Sequence, residues 1–555
     1  MDKKLRISII VISLLLILAM LAGCGERAAT SSPPAPSSDP TEVVSEPTEE
    51  PDAEPTEEPA YFPLVETRTL SYWMSFPPIF ADYAEGPNEY LVYTEAEKRL
   101  NVELEWVTAN FMAARETFNI MVSTGEYTDM IAGYQNYSSI GLEQSVSDGI
   151  IIDLTELIDK YAPDYAAARM QNDMTAKTTI SDDGRLLQFY YLYTMEGMVN
   201  DKGPIVRQDW LDESGVEALV TMDDYEKFLT YTSEKYGAGL ALPCQGTWNT
   251  SCFEGAFDIV LPFGNLERGL FQTDGEVKFG GSEQGFRDYL TLMNKWYAAG
   301  LIEDGFESDT ASQTSGYPST DNIASGKVSV FFGVSKEIPT YEQMCEAELT
   351  PIAYPRLTAD QIRHVAPSLG GANSSAAVSI SSDCEDTELA VRFMNWFFTD
   401  EGFILTNYGV EGMTFDYVDG KPVFTDLVVN NPEGMSLNIA LTLYTGGTSG
   451  VPMLFDNTKY EQIYNEKQYQ AGYIWIENED RAYSLGSTAL NTEESEAVSS
   501  VWQDIQTIFF ENCLKFITGS RSLDEFDDFV KTMYDQGLQD VLDAYTTAYA
   551  RWAAK

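Results

Sequence analysis

The chain has 555 residues, 87 of them acidic and 34 basic, for a formal net charge of −53, with 44% hydrophobic and 12% aromatic content. That is enough apolar material for two or three packed domains. A field of this sign excludes nucleic acid and anionic headgroups as partners and disfavours polyanionic ligands, since no basic cluster opposes it.

Lys3, Lys4 and Arg6 precede an apolar run from Ile7 to Met20 broken only by Ser8 and Ser13, the layout of a secretory signal. The run is shorter than the roughly 20 residues a spanning helix needs. It ends in Leu21-Ala22-Gly23-Cys24, which matches the bacterial lipobox, so residues 1–23 are expected to be cleaved and the Cys24 sulfur to carry lipid. Residues 24–60 are rich in Pro, Ser, Thr, Glu and Asp, with Glu-Pro-Thr-Glu-Glu at 46–50 and again at 54–58. Such a stretch buries too little to offset its ordering entropy, and proline stiffness plus like charge make it an extended tether.

Thr69–Met74 is a predicted first strand, followed by helix ending near Arg99, a strand at Asn101–Val107, a helix at Phe111–Ser123 and a short strand at Asp129–Ala132. This alternation predicts a parallel α/β lobe. Thr221 and Asp224 are spaced as a capping box before Tyr225, Phe228, Leu229 and Thr232, with Gly237 as the stop. Leu270–Gly280 is a predicted hairpin turning at Asp274-Gly275. Ser282 is the expected cap of a helix carrying Phe286, Tyr289, Leu290, Met293, Trp296 and Tyr297 inward until Gly300, and Ser522 with Glu525 forms another predicted box. Gly537 then separates that helix from a last amphipathic one through Leu538, Val541, Leu542, Tyr545, Tyr549 and Trp552.

With Cys24 lipidated, the remaining Cys244, Cys252, Cys345, Cys384 and Cys513 are odd in number. They cannot all pair; Cys244 and Cys252 are near enough in sequence to bridge, but no disulfide framework is indicated and buried free thiols are the expected state. His364 is the single histidine, so no His-Glu-x-x-His pair exists, and no nucleophile elbow, phosphate loop or dinucleotide fingerprint occurs. No catalytic residue, metal site or cofactor is therefore expected. A carboxylate pair of the glycoside hydrolase kind stays open among 87 acidic residues, as does glycan binding by a sensor or adhesin without transport.

The order of Phe118-Asn-Ile-Met-Val-Ser-Thr-Gly-Glu-Tyr-Thr-Asp-Met-Ile131, Val206-Arg-Gln-Asp-Trp-Leu211, Lys295-Trp-Tyr-Ala-Ala-Gly-Leu-Ile302, Ile323-Ala-Ser-Gly-Lys-Val328, Asn407-Tyr-Gly-Val-Glu-Gly412 and the two terminal helices resembles the extracellular solute-binding proteins of family 1, in the large lipoprotein branch found beside carbohydrate ABC permeases of Gram-positive bacteria. The resemblance covers nearly everything after the tether. It implies an α/β fold of the two-lobe periplasmic-binding-protein-like kind (type II) with the ligand between hinged lobes. By resemblance, lobe one is 66–200 with 370–408 and lobe two is 204–365 with 412–555. Crossings are expected near Met198–Pro204, Ala366–Gly371 and Tyr408–Gly412. The implied role is a lipid-anchored, monomeric substrate-binding component of an ABC importer, on the extracellular face of the cell membrane and partnered by permease subunits. Some members carry a calcium loop after the helix ending near Tyr236; Glu234-Lys-Tyr-Gly-Ala-Gly-Leu240 lacks its alternating oxygen ligands, so no calcium is expected there. Asp182-Asp183-Gly184 is a turn.

A sugar presents hydroxyls and apolar C–H faces, so its cleft needs aromatic rings beside amides and carboxylates on loops at strand carboxyl ends. The candidate ligand-binding residues are Trp73 and Phe76 after strand one; Tyr134, Gln135 and Asn136 after strand three; Gln245, Trp248 and Asn249; Asn373; and Glu411 and Phe415. The expected ligand is an oligosaccharide, with a peptide as the alternative.

Overall fold

Two separate sheets organise the chain. The computed structural model describes residues 60–76, 80, 82–110, 113–138, 140–193, 202–242, 253–262, 269–308, 318–364, 371–447, 450–486 and 488–555. Its strands are β1 (Arg68–Phe76), β2 (Val102–Asn110), β3 (Met130–Ala132), β4 (Phe189–Tyr193), β5 (Lys202–Arg207), β6 (Gly239–Leu240), β7 (Leu270–Thr273), β8 (Glu276–Phe279), β9 (Val328–Val334), β10 (Leu349–Pro351), β11 (Gly371–Ile380), β12 (Phe415–Val418) and β13 (Lys421–Phe424). The first sheet has the order β2-β1-β3-β11-β4 and the second β10-β5-β9-β6, while β7-β8 and β12-β13 are hairpins.

In the first sheet β1 runs parallel to β2, in register from Arg68 opposite Val102 to Phe76 opposite Asn110, and parallel to β3. The helix Leu91–Leu100 connects β1 to β2 and stops where Asn101 takes a left-handed φ of 56°, a conformation asparagine tolerates better than most residues. Successive side chains of β1 enter different cores. Leu70, Tyr72 and Met74 pack with Tyr93, Leu104 and Phe397, whereas Trp73 packs with Phe118, Ile131 and Tyr134. Both faces are thus covered, as parallel sheets require.

In the second sheet β9 is buried along its whole length, antiparallel to β5 and parallel to β6. Helices Met222–Tyr236 and Gln284–Ala298 pack their Tyr225, Phe228, Phe286, Tyr289 and Trp296 into one core with Phe509, Phe516, Phe529 and Val541 from the terminal helices. The Thr221–Asp224 capping box forms as expected, and Gly237 closes that helix at φ 68°. Two caps differ from expectation. Ser282 donates its hydroxyl to the Phe279 carbonyl at 2.8 Å, so the helix starts after Glu283 without a side-chain cap. Ser522 accepts from the Asp524 N–H in a short 3-10 turn, and the α-helix begins only at Phe526.

The largest correction concerns lobe two, expected to include everything from 412 onward. Ile439, Leu443 and Val451 lie in the same core as Leu70, Tyr93 and Phe397, and Met453–Phe455 joins the free edge of β4, where Leu192 N–H donates to the Met453 carbonyl at 2.7 Å and Phe455 N–H to the Leu192 carbonyl at 2.9 Å. Only beyond this point do Ala471 and Trp475 enter the second core. The third crossing therefore follows Ile463, which still packs against the Tyr408–Phe424 cluster, and does not fall at Tyr408–Gly412; helix Asp400–Tyr408 ends at Gly409 inside lobe one. Cys345, Cys384 and Cys513 are free and buried, and burial pushes the Cys384 thiol up to about 12. Cys24, Cys244 and Cys252 lie outside the described residues. No described helix is long and apolar enough to cross a membrane.

Candidate functional site

Strand direction locates the cleft. β11 is antiparallel to β3 and to β4, so β4 points the same way as β1, β2 and β3, and Phe76, Asn110, Ala132 and Tyr193 mark one edge of the first sheet. In the second sheet the carboxyl ends of β6 and β9 are Leu240 and Val334, and Lys202, the first residue of β5, pairs with Val334. The chain leaves lobe one at Tyr193 and enters lobe two at Lys202; it leaves lobe two after His364 and returns to lobe one at Gly371, opposite Tyr193. The first crossing thus joins the carboxyl edges of the two sheets and the second returns to that edge of the first, which is where open α/β sheets bind ligands.

An aromatic cluster occupies this junction. Tyr191 and Tyr193 lie 5.6 and 5.4 Å from the Phe455 ring, Phe455 lies 5.7 Å from Tyr460, and Tyr460 stacks on Tyr464 at 4.7 Å. Tyr193, Tyr460 and Tyr464 are half-buried. Beneath the rings Lys459 is 2% exposed, with its ammonium 4.2 Å from the Phe455 centroid and donating to Asn407 Oδ1 at 3.2 Å. Burial lowers its pKa to about 7, and nearby Asp456 only partly offsets this. Asp456 itself accepts from the Tyr408 hydroxyl at 2.7 Å and from the Thr458 N–H at 2.8 Å. On the second lobe, Ile302 bridges Leu240 in parallel, so the next residue, Glu303, sits at that sheet's carboxyl edge, 3% exposed and accepting from Asn322 Nδ2 at 3.0 Å.

The candidates chosen from sequence divide sharply. Trp73 and Tyr134 are fully buried; Trp73 meets Phe118 and Tyr137 edge-on at 5.9 and 5.2 Å, and Tyr134 meets Phe118 at 5.2 Å. Both are core residues under helix Ala114–Thr124, because the face of β1 taken for a cleft wall is covered. Phe415, 1% exposed, packs against Tyr408 and Phe424 in the first lobe, and Phe76 packs against Phe80 and Tyr90. Glu411 is exposed in the turn before the β12–β13 hairpin; this turn belongs to lobe one, not to a third crossing. Gln135 is exposed and Asn136 half-buried just after β3, where the Asn136 carbonyl accepts from Arg115 at 3.0 Å. Asn373 lies opposite Tyr191 and its Oδ1 accepts from the Ser375 N–H at 2.8 Å. Gln135, Asn136 and Asn373 therefore stand near the carboxyl edge of the first sheet. Gln245, Trp248 and Asn249 lie outside the described residues, past β6, which ends at Leu240.

Sequence reasoning missed Tyr193, Phe455, Tyr460 and Tyr464. The only local signal was the aromatic density of Tyr190-Tyr191-Leu192-Tyr193 and Phe455 to Tyr464, and nothing local says that 192 pairs with 454. His364 Nδ1 lies 2.8 Å from Asp480 Oδ1 in a second-lobe loop. Among the described residues no group of three His, Cys, Asp or Glu is placed to hold a metal ion.

No family model matches the chain. It is 23% identical, over 97% of its length and 96% of the relative's, to the fructooligosaccharide ABC transporter substrate-binding protein FusA of Streptococcus pneumoniae. Among solved structures, an extracellular solute-binding protein from Bifidobacterium longum subsp. infantis superposes with a TM-score of 0.69 at 14% identity, covering 88% of this chain and 98% of that one. The alginate-binding protein AlgQ2 gives 0.64 at 20% identity, covering 88% and 99%. The fold is the two-lobe, periplasmic-binding-protein-like α/β architecture of solute-binding proteins.

Proposed function

We propose that the chain is the substrate-binding component of an ABC importer, held by lipid on Cys24 at the extracellular face of the cell membrane, working as a monomer with permease subunits and taking a neutral oligosaccharide into the interlobe cleft. The observation carrying this reading is the junction itself: half-buried Tyr193, Tyr460 and Tyr464, with Asn373 opposite Tyr191, at the carboxyl edge of the first sheet, and Glu303 at the carboxyl edge of the second. Rings stack on sugar C–H faces while amides and a carboxylate share hydroxyls. The relative named for fructooligosaccharide supports the same ligand class.

Thermal-shift screening of residues 60–555 against neutral oligosaccharides should reveal a ligand that, at 100 times its Kd, stabilises by about 2.7 kcal/mol. Tyr193→Ala and Tyr460→Ala should each weaken it by about 2 kcal/mol, as truncated aromatic anchors do. A shift given by peptides and by no oligosaccharide would reject the sugar reading. Independently, labelled palmitate should enter the wild-type chain and not Cys24→Ala, which should appear in the medium; equal membrane retention of both would remove the anchor.

A further inference from the structure

We propose that the end of the last helix is an ionic clasp between the lobes, a noncovalent fourth link beside the three chain crossings. Helix Leu538–Ala553 belongs to the second lobe, whose core takes its Leu538, Val541, Leu542 and Tyr545. Its last turn reaches the first lobe. Arg551 Nε donates to Asp182 Oδ2 at 2.7 Å; Lys555 Nζ lies 3.0 Å from Asp182 Oδ1 and donates to the Ile180 carbonyl at 2.7 Å. Asp182 sits on the turn that Gly184 closes at φ 87°, between helix Asp173–Thr178 and β4, and Ile180 packs on the first-lobe core.

Three features make this more than a surface pair. Arg551 is held from behind by Glu494, whose oxygens accept from Nη1 at 2.6 Å and Nη2 at 2.7 Å. Glu494 is also the closing residue of the capping box that starts helix Thr492–Ile517. Burial would raise its pKa, but the Arg551 guanidinium holds it below the ordinary carboxylate range. The guanidinium is therefore oriented before it meets Asp182, so little side-chain entropy is lost in the contact. The Asp182, Arg551, Glu494 and Lys555 side chains keep only 13–29% exposure, which limits solvent screening. Finally, Lys177 of the same first-lobe stretch lies 5.5 Å from the Trp552 ring, so ring and charges span the same seam.

The seam lies beside the hinge. A Cβ added at Gly371, where the chain returns from the second crossing, would sit 2.9 Å from Met174 and Thr178 side chains, four to eight residues before Asp182. Interlobe rotation about the crossings must shear the clasp, so the clasp favours the lobe arrangement that makes it. A conformational bias of this kind changes a two-state ratio by about fivefold or more.

The test reads lobe separation directly and needs no ligand, so it stands apart from the sugar reading. Spin labels on Ser123→Cys and Thr230→Cys, exposed helix positions on the two lobes, are introduced into the full chain with Cys24, Cys244 and Cys252 replaced by serine. Pulsed dipolar spectroscopy at low salt should give one narrow distance distribution, and Asp182→Ala should broaden or shift it. Wild type in about 1 M salt should move the same way but by less, because these partly buried charges are screened less than exposed ones. Asp183→Ala, which removes only intralobe contacts with Arg185 and Ser181, should not, and Asp182→Glu, which keeps the charge, should retain most of the wild-type distribution. Distributions identical in wild type and Asp182→Ala at both salt concentrations would overturn the clasp. So would a change in Asp183→Ala equal to that in Asp182→Ala.

Discussion

Trp475→Ala is expected to destabilise the second lobe by about 3–5 kcal/mol, the range for emptying a fully packed tryptophan site. The indole is completely buried and fills the space that Gly203 leaves by lacking a side chain: a Cβ there would lie 2.3 Å from the ring. Its Nε1 donates to the Pro204 carbonyl at 3.3 Å. The ring thus pins the start of β5, where the first crossing lands, against helix Glu466–Ile474, where the third crossing lands. Because the backbone of β5 is held by β9 and β10, the cavity has little freedom to collapse. Gly203→Ala should cost about 1–3 kcal/mol from the opposite side, by driving a methyl into the indole. Chemical denaturation followed by second-lobe fluorescence measures both; a loss under about 1 kcal/mol in each variant would mean the two crossings are not coupled through this ring.

Lys459→Met is expected to act in the other direction, raising stability near pH 6 by about 1–4 kcal/mol. The ammonium is buried with one hydrogen-bond acceptor, Asn407 Oδ1, and that oxygen also accepts from the Asp456 N–H at 3.0 Å. Removing the lysine therefore leaves no orphaned partner, and the methionine stem keeps its contact with Phe455. The pH dependence follows from the direction of the shift. An unfolded lysine keeps its proton up to about its ordinary 10.5, whereas the folded one gives it up near 7. Between these values the unfolded chain binds more protons, so wild-type stability rises with pH, by about 1.4 kcal/mol for each unit of separation. Below pH 7 the charge is buried at full cost. The wild type should gain stability from pH 7 to about 9.5, and Lys459→Met should lack that rise; parallel pH profiles for the two proteins would show that the amine is not buried in charged form.

These two sites also mark where reading the chain in order succeeds and where it stops. Local chemistry determined most elements: the β1–helix–β2 unit, the Thr221–Asp224 box, the hairpin turning where Asp274 and Gly275 adopt φ of 53° and 87°, and the last helix after Gly537. Each of those depends on residues within a few positions of one another, through apolar period, capping or positive φ. The two-lobe fold followed from the order of such signatures by resemblance, but the placement of residues 412–455 did not. The composition of the cleft did not. In a sheet covered on both sides, alternation no longer separates core from cleft, so Trp73 and Tyr134 carry the same local signal as a ligand platform while being packed on all sides. The third crossing rests on one pairing, Leu192 with Leu454, between residues 262 positions apart, and no local pattern encodes a partner so distant. That pairing carries Phe455, Lys459, Tyr460 and Tyr464 to the junction, and a helix end 369 residues from Asp182 closes the seam beside it. The elements were legible because their energetics are local; the site and the clasp were decided by which distant surfaces bury one another.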